Sequence, residues 1–292
     1  MKRHLILATL LPLSALAEPS TPVPTGVPGA WIPLPKFTDE FNAPEIDRSK
    51  WNHRLSPWGE RAWRAKNVVQ ENGVLKITAR HEPHQHRGKQ YFYTMGIFQS
   101  QRKVTYGFFE ARIKACSRFP GMAPAFWLYS NGRSRNPAFP KVTYSEVDIV
   151  ELLQGNFSTG RKNGGGPEII DCNLHTRIID DDGREIWQRP NSLPEVCKHQ
   201  IVAPWDPRDD FHIYAAEVSP EKIIWYIDGK KVAEEQNLYW HLPMNLTLTM
   251  EARPPLIRWA GEDGREPVPE AATAEGFPTH MTVDYVRSWV RK

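Results

Sequence analysis

Tyr144-Ser145-Glu146-Val147-Asp148-Ile149-Val150-Glu151-Leu152-Leu153 sets three carboxylates into an otherwise β-branched and aliphatic run. Such a run predicts a buried strand. A buried carboxylate is costly unless it is paired, hydrogen-bonded or protonated, so three together need a reason. Strand side chains alternate between faces, which puts Glu146 and Asp148 on the same one. Glu151 lies five residues beyond Glu146, and an ideal strand sends it to the opposite face. One extra residue in a β-bulge at Ile149-Val150 restores the match, and all three acids then point the same way.

Three acids on one face of a sheet suit the hydrolysis of a glycosidic bond. A retaining mechanism needs two carboxyl groups roughly 5–5.5 Å apart, one as nucleophile and one as acid and base. Crowding pushes their pKa values apart, so one stays protonated while its neighbour stays ionised. On a flat strand the two glutamate Cα atoms would lie about 13 Å apart at about 3.3 Å per step, so the strand must curve. The plain alternative is a solvent-exposed edge strand with one polar face.

The chain has 292 residues, enough for one large all-β domain. Its 11 Trp and 26 Pro stand out. Trp serves where an apolar ring meets a partly polar partner, as the face of a sugar is. Residues 1–17 read as a secretory signal, with Lys2 and Arg3, an apolar core from Leu5 to Leu13, and Ala15-Leu16-Ala17 for cleavage. The apolar run is too short to span a membrane, and no Cys stands at the cleavage site. The expectation is a secreted or periplasmic protein, monomeric and not membrane-bound. Without Lys2 and Arg3, 37 basic residues become 35 against 34 acidic ones, a net charge of +1. That balance does not look like a nucleic-acid binder, and attraction to a polyanion must come from a local Arg/Lys cluster.

Residues 18–35 are rich in Pro, Ser, Thr and Gly and read as a lead-in; 36–292 is the expected catalytic domain. Phe37–Phe41 reads as a first strand with an acidic kink. Residues 51–64 interleave Trp51, Arg54, Trp58, Arg61, Trp63 and Arg64. Trp58 and Trp63 are candidates to stack on sugars, with guanidinium groups meeting anions, while Trp51 is left to the core. Asn72-Gly73 between Lys66–Gln70 and Val74–Ala79 predicts a hairpin. His81, His84 and His86 follow in what reads as a polar loop. Thr94–Gln101 and Lys103–Lys114 read as paired strands, and Ala123–Tyr129, with Trp127, as another. Gly164-Gly165-Gly166 reads as a loop over a cleft, without the pattern of a phosphate-cradling loop.

Ile169–Ile179, with His175, is a further expected strand. Asp182-Gly183 turns the chain into Arg184–Arg189, which carries Trp187. Phe211–Val218, Lys222–Ile227, Lys230–Ala233, Met244–Ala252 and Thr279–Val290 complete the set. Many short strands and Gly turns, almost without helical periodicity, predict an all-β chain: a β-sandwich jelly roll with a concave substrate groove or tunnel. Of three cysteines, Cys172 and Cys197 are placed to close a loop around the Asp182-Gly183 turn, and Cys116 reads as a small buried side chain. Neither a CxxC pair nor a zinc spacing is present, and no metal ligand set is expected.

Glu146-x-Asp148-x-x-Glu151 resembles the active-site motif of glycoside hydrolase family 16 in its bulged form. Its surroundings resemble the κ-carrageenases of that family: Tyr106-Gly107-x-Phe109-Glu110-Ala111-Arg112, Pro124-Ala125-Phe126-Trp127, Trp187-x-Arg189-Pro190, Asn237-Leu238-Tyr239-Trp240-His241 and Val283-Asp284-Tyr285-Val286-Arg287. The likeness spans roughly residues 90–290. It implies Glu146 as nucleophile, Glu151 as acid and base, and Asp148 as the residue that tunes Glu146. It implies cleavage of the β-1,4 link between 4-sulfated galactose and 3,6-anhydrogalactose. Arg253 matches the arginine expected to hold the sulfate beside the cleaved bond, Arg189 and Trp187 match groove residues, and His175 lies on a strand next to the site. The family needs no cofactor; an optional structural Ca²⁺ would use Asp39 and Asp284. Two features depart from it: Cys172 with Cys197, and Arg80–Gln90, which is placed to rim the groove.

Two other readings remain from the sequence. One is a hydrolase preferring β-carrageenan or furcellaran hybrids. The other is a non-catalytic jelly roll that binds sulfated galactan. The carboxylate triplet argues against a pure binder, which has no need of a bulged row of acids.

Overall fold

Alternating burial runs along the strands, as in Val68–Glu71, where Val68 and Gln70 are buried and Val69 and Glu71 exposed. Each strand therefore offers one face to a partner layer. The computed structural model describes residues 23–57, 62–155, 165–260 and 264–292. Residues 1–17, Trp58, Arg61 and Gly164 lie outside the described residues.

Two antiparallel sheets form the layers. The first runs, edge to edge, through Lys230–Gln236, Lys222–Ile227, His212–Val218, Gly107–Lys114, Thr279–Arg291, Val74–His86 and Val68–Glu71. The second runs through Glu185–Gln188, Ile169–Ile179, Val142–Glu151, Met122–Tyr129, Met244–Ala252, Ile97–Val104 and Trp51–Asn52. Between them Phe41, Trp51, Phe98, Phe109, Phe126, Trp225 and Trp240 build the core. A separate two-stranded hairpin, Ile257–Ala260 with Gly264–Pro267, belongs to neither sheet. This is the expected jelly roll.

The hairpin at Asn72-Gly73 forms with both turn residues at positive φ, but its second strand continues through His86. A second turn at Arg87-Gly88 then leads into Lys89–Thr94. The three histidines therefore lie on a strand rather than in a polar loop. His81 packs edge-on to Tyr93, and His84 stacks on Tyr91. The continuous strand expected over Thr94–Gln101 is broken at Met95-Gly96, where the chain leaves one sheet for the other. A side chain on Gly96 would fall 2.8 Å from the Asn67 carbonyl oxygen, so the crossing needs glycine. Lys103–Lys114 divides in the same way, Lys103 and Val104 in the second sheet and Gly107–Lys114 in the first.

From residue 23 onward the Pro-rich lead-in is built into the fold. Trp31–Pro33 pairs with Trp289–Arg291, and Val27 joins Phe108 and Trp289 in a small apolar cluster. Thr25 donates its backbone N–H to the buried Glu110 at 2.9 Å. The Cys172–Cys197 bridge does not form: all three cysteines are free and buried. The Cys172 thiol instead points at the Ile149 carbonyl oxygen, 3.3 Å away.

Candidate active site

The second sheet carries a cleft of about 920 Å³. Its floor includes Trp127, Tyr129, Glu146, Asp148, Glu151, Asn173 and His175. Trp187 and Arg189 line it on one side, Arg253, Trp259 and Arg265 on another.

The bulge is present where the carboxylate spacing demands it. Phe126 pairs with Val150 and Trp127 with Asp148, leaving Ile149 as the extra residue. The neighbour on the other side slips by one residue over the same stretch, between the Asp171–Glu151 and Leu174–Val147 pairs. Ile149 and Val150 both enter the core. Two consecutive core side chains reverse the alternation, and Glu151 joins Glu146 and Asp148 in the cleft. The bulge frees backbone carbonyls inside the sandwich, where an orphan is costly. Asp148's carbonyl accepts the indole N–H of Trp225, from the opposite sheet, at 3.0 Å.

His175 sits between two of the acids, its Nε2 3.4 Å from Asp148 and 3.8 Å from Glu146. Burial works against its cation, but the Glu146 charge and the Asp148 hydrogen bond outweigh it and raise the ring to about 9. At neutral pH it is an imidazolium. Burial raises Glu146; His175 and the hydroxyl of Tyr144, which donates to its Oε2, act in the opposite direction. Asp148 is pushed further, well above the usual carboxylate range, by burial and then by Glu151 and Glu146. Burial and mutual repulsion thus displace Asp148 toward its protonated form more strongly than Glu146.

Glu151 is held differently. It accepts from Gln154 Nε2 at 2.6 Å, Arg253 Nη2 at 2.8 Å and Asn173 Nδ2 at 2.9 Å. Arg253 also reaches Glu251 at 2.8 Å, and Arg265 meets that same Glu251 oxygen at 2.7 Å. Glu151, Arg253, Glu251 and Arg265 thus form a hydrogen-bonded chain of alternating carboxyl and guanidinium groups.

Among the residues singled out from sequence, Glu146, Asp148, Glu151, Arg253, Arg189, Trp187, Trp127 and His175 all line this cleft. Trp127 is nearly buried, stacked on Tyr129 at 4.4 Å and bonded to Thr249. Trp63 is a correction: it is 3% exposed, lies in the core and does not line the cleft. A ladder bridge to Met95 fixes it beneath the sheet crossing. Trp58 is outside the described residues. Arg80–Gln90 does not line the cleft either; its Lys89 reaches Glu266, on the stand-alone hairpin, at 3.8 Å. Tyr144, Gln154, Asn173, Arg177, Glu251, Trp259 and Arg265 were not read as site residues from sequence, because their roles come from side-chain contacts that no residue pattern marks.

The donors at Asp39 and Asp284 do not suit Ca²⁺, which takes 6–8 oxygen ligands. Asp39 accepts the Trp51 indole N–H at 2.9 Å and faces Lys50. Asp284 pairs with Arg112 at 2.7 Å. Among the described residues, the cluster with metal-ligand spacing is Glu146, Asp148 and His175, where the ring is already a cation. No helix among those residues is long and apolar enough to cross a membrane.

Comparison with known proteins agrees with this geometry. The profile of the GH16 domain of β-porphyranases A–D matches residues 31–291. The chain is 40% identical to the κ-carrageenase of Pseudoalteromonas carrageenovora, over 97% of this chain and 71% of that protein. The crystal structure of that enzyme in complex with an oligotetrasaccharide of κ-carrageenan superposes with a TM-score of 0.79 at 37% identity, covering 96% of this chain and 99% of that one. A κ-carrageenase of Zobellia galactanivorans gives 0.79 at 36%, over 90% of this chain and 96% of that one.

Proposed function

The chain belongs to glycoside hydrolase family 16, and on that premise we propose that it is an endo-acting, retaining hydrolase of κ-carrageenan. It cuts the internal β-1,4 bond between galactose-4-sulfate and 3,6-anhydrogalactose. The bulge at Ile149 carries this reading, because it brings Glu146 and Glu151 to one cleft floor with Asp148 between them.

Glu146 attacks the anomeric carbon as the glycosidic C–O bond breaks, and Glu151 gives its proton to the leaving oxygen. A covalent glycosyl–Glu146 ester results. Glu151 then takes a proton from water, whose oxygen displaces Glu146 and restores the original configuration. The His175 ring and the Tyr144 hydroxyl favour the Glu146 carboxylate against burial and aim it. Asp148 acts on Glu146 through that same ring. Trp187, with the guanidinium carbons of Arg177 and Arg189 at 4.4 and 5.4 Å from its ring centroid, offers a sugar platform. Arg253 is the sulfate ligand of this reading, and an arriving sulfate competes there with Glu151 and Glu251. The leader-like residues 1–17 support action outside the cytoplasm.

Incubation of the protein, and of Glu146→Gln, with κ-, β- and ι-carrageenan, agarose and laminarin tests this by reducing-end release. Release is expected to be strongest from κ-carrageenan and to fall on the order of 10³-fold or more in the variant. Stronger release from β-carrageenan would transfer the reading to the hybrid substrates. No release from any galactan would remove the catalytic reading, and an inverted product anomer would remove the covalent ester.

A further inference from the structure

Trp259 is 52% exposed, and no other Trp, Phe or Tyr among the described residues is classed with the exposed side chains. Leaving an indole in water forgoes the favourable burial of a large apolar surface. It stands on the Ile257–Ala260 strand of the stand-alone hairpin, directly across from Arg265. Such a two-stranded ribbon is marginal by itself. Here Glu266 ties it to Arg258 at 3.1 Å within the hairpin and to Lys89 at 3.8 Å from the neighbouring one.

Two guanidinium groups also lie close to the indole. The Arg265 guanidinium carbon lies 4.9 Å from its ring centroid and that of Arg253 lies 6.0 Å away. Both arginines grip Glu251, and Arg253 grips Glu151. Trp259 is therefore a rigid, wet aromatic face in the cleft, two contacts from a reacting carboxylate. Trp187 is built alike beyond Tyr144, which bonds Glu146, with Arg177 at 4.4 Å and Arg189 at 5.4 Å from its ring. An indole backed by two guanidinium groups thus flanks the carboxylate row at either end.

We propose that Trp259 is a second sugar-binding platform, stacking a galactan ring on the Glu151 side of the cleaved bond while Arg265 borders that ring's polar or sulfated edge. This deepens the proposed function and rests on it. A ring held at both ends of the row lets a long chain lie across the acids, so the platform acts on binding rather than on bond breaking.

The test compares wild type, Trp259→Ala and Trp259→Phe on κ-carrageenan, with melting temperatures recorded alongside. Trp259→Ala is expected to raise KM at least tenfold while kcat falls less than threefold, and Trp259→Phe to recover most of the loss. In a Glu146→Gln background, calorimetry with κ-carrageenan hexasaccharide is expected to show at least tenfold weaker binding for Trp259→Ala. An unchanged KM and affinity in a folded Trp259→Ala would overturn the platform. So would a loss confined to kcat, which would mark a structural role through Arg253. If wild type cuts no galactan, the calorimetric arm still decides, so the two failures are separable.

Discussion

At the level of single residues, the charge on His175 organises the nucleophile. Its ring is raised from 6.5 to about 9 by the Glu146 charge and the Asp148 hydrogen bond, against burial. A folded pKa above the unfolded one contributes stability that is fully present below about 6.5 and is lost as pH rises through about 9. Thermal melts of wild type and His175→Gln from pH 6 to 10 should therefore converge as pH rises across that window. A difference independent of pH would contradict the cationic ring. Glu146, Asp148 and Glu151 were legible in the sequence because charge inside an aliphatic run is anomalous wherever it occurs. Asn173 was not, since a polar residue gives no local sign that its partner lies on another strand, and Gln154 and Glu251 have near neighbours as partners that no residue pattern marks. Trp63 was misread for a related reason: Trp among arginines looks the same above a groove as beneath a sheet crossing.

At the level of elements, the bulge depends on a tryptophan 77 residues away in sequence. Trp225 reaches across the sandwich and donates to the Asp148 carbonyl beside the bulge. Trp225→Phe keeps most of the packing and removes that donor, at a cost of about 1–3 kcal/mol. For a domain of this size that lowers Tm by about 2–4 °C per kcal/mol. Activity should fall further than stability alone explains, because the bulge sets the facing of Glu151. A melting curve with kcat measured well below Tm checks both, and a stability loss with full activity would separate Trp225 from the bulge. The bulge itself followed from spacing, since three acids needing one cleft leave a single residue to be absorbed. Its anchor did not, because no local pattern names a partner on the facing sheet.

At the level of the whole molecule, the two sheets must be held at a fixed spacing for the cleft to keep its shape, and an optional calcium ion at Asp39 and Asp284 is one device that would do so. Asp39 and Asp284, the carboxylates that would hold the ion, already face Lys50 with Trp51 and Arg112. A chelator is expected to leave Tm unchanged, and added Ca²⁺ likewise; a rise of several degrees with Ca²⁺ would show that the ion displaces those cations. Residues 23–33 contribute instead, covering Phe108 and Trp289 and giving Glu110 a donor. By itself the sequence determined the all-β class, the strand turn at Asn72-Gly73, and the phase of the carboxylate row, because backbone sterics and period-two alternation act over a few residues. Only the tertiary structure decided that Cys172 turns to Ile149 rather than to Cys197, that Trp63 is core, and that Trp259 stands exposed above Arg253. Those outcomes depend on which strands become neighbours and on how two sheets exclude water between them, and neither is written in any one stretch of the chain.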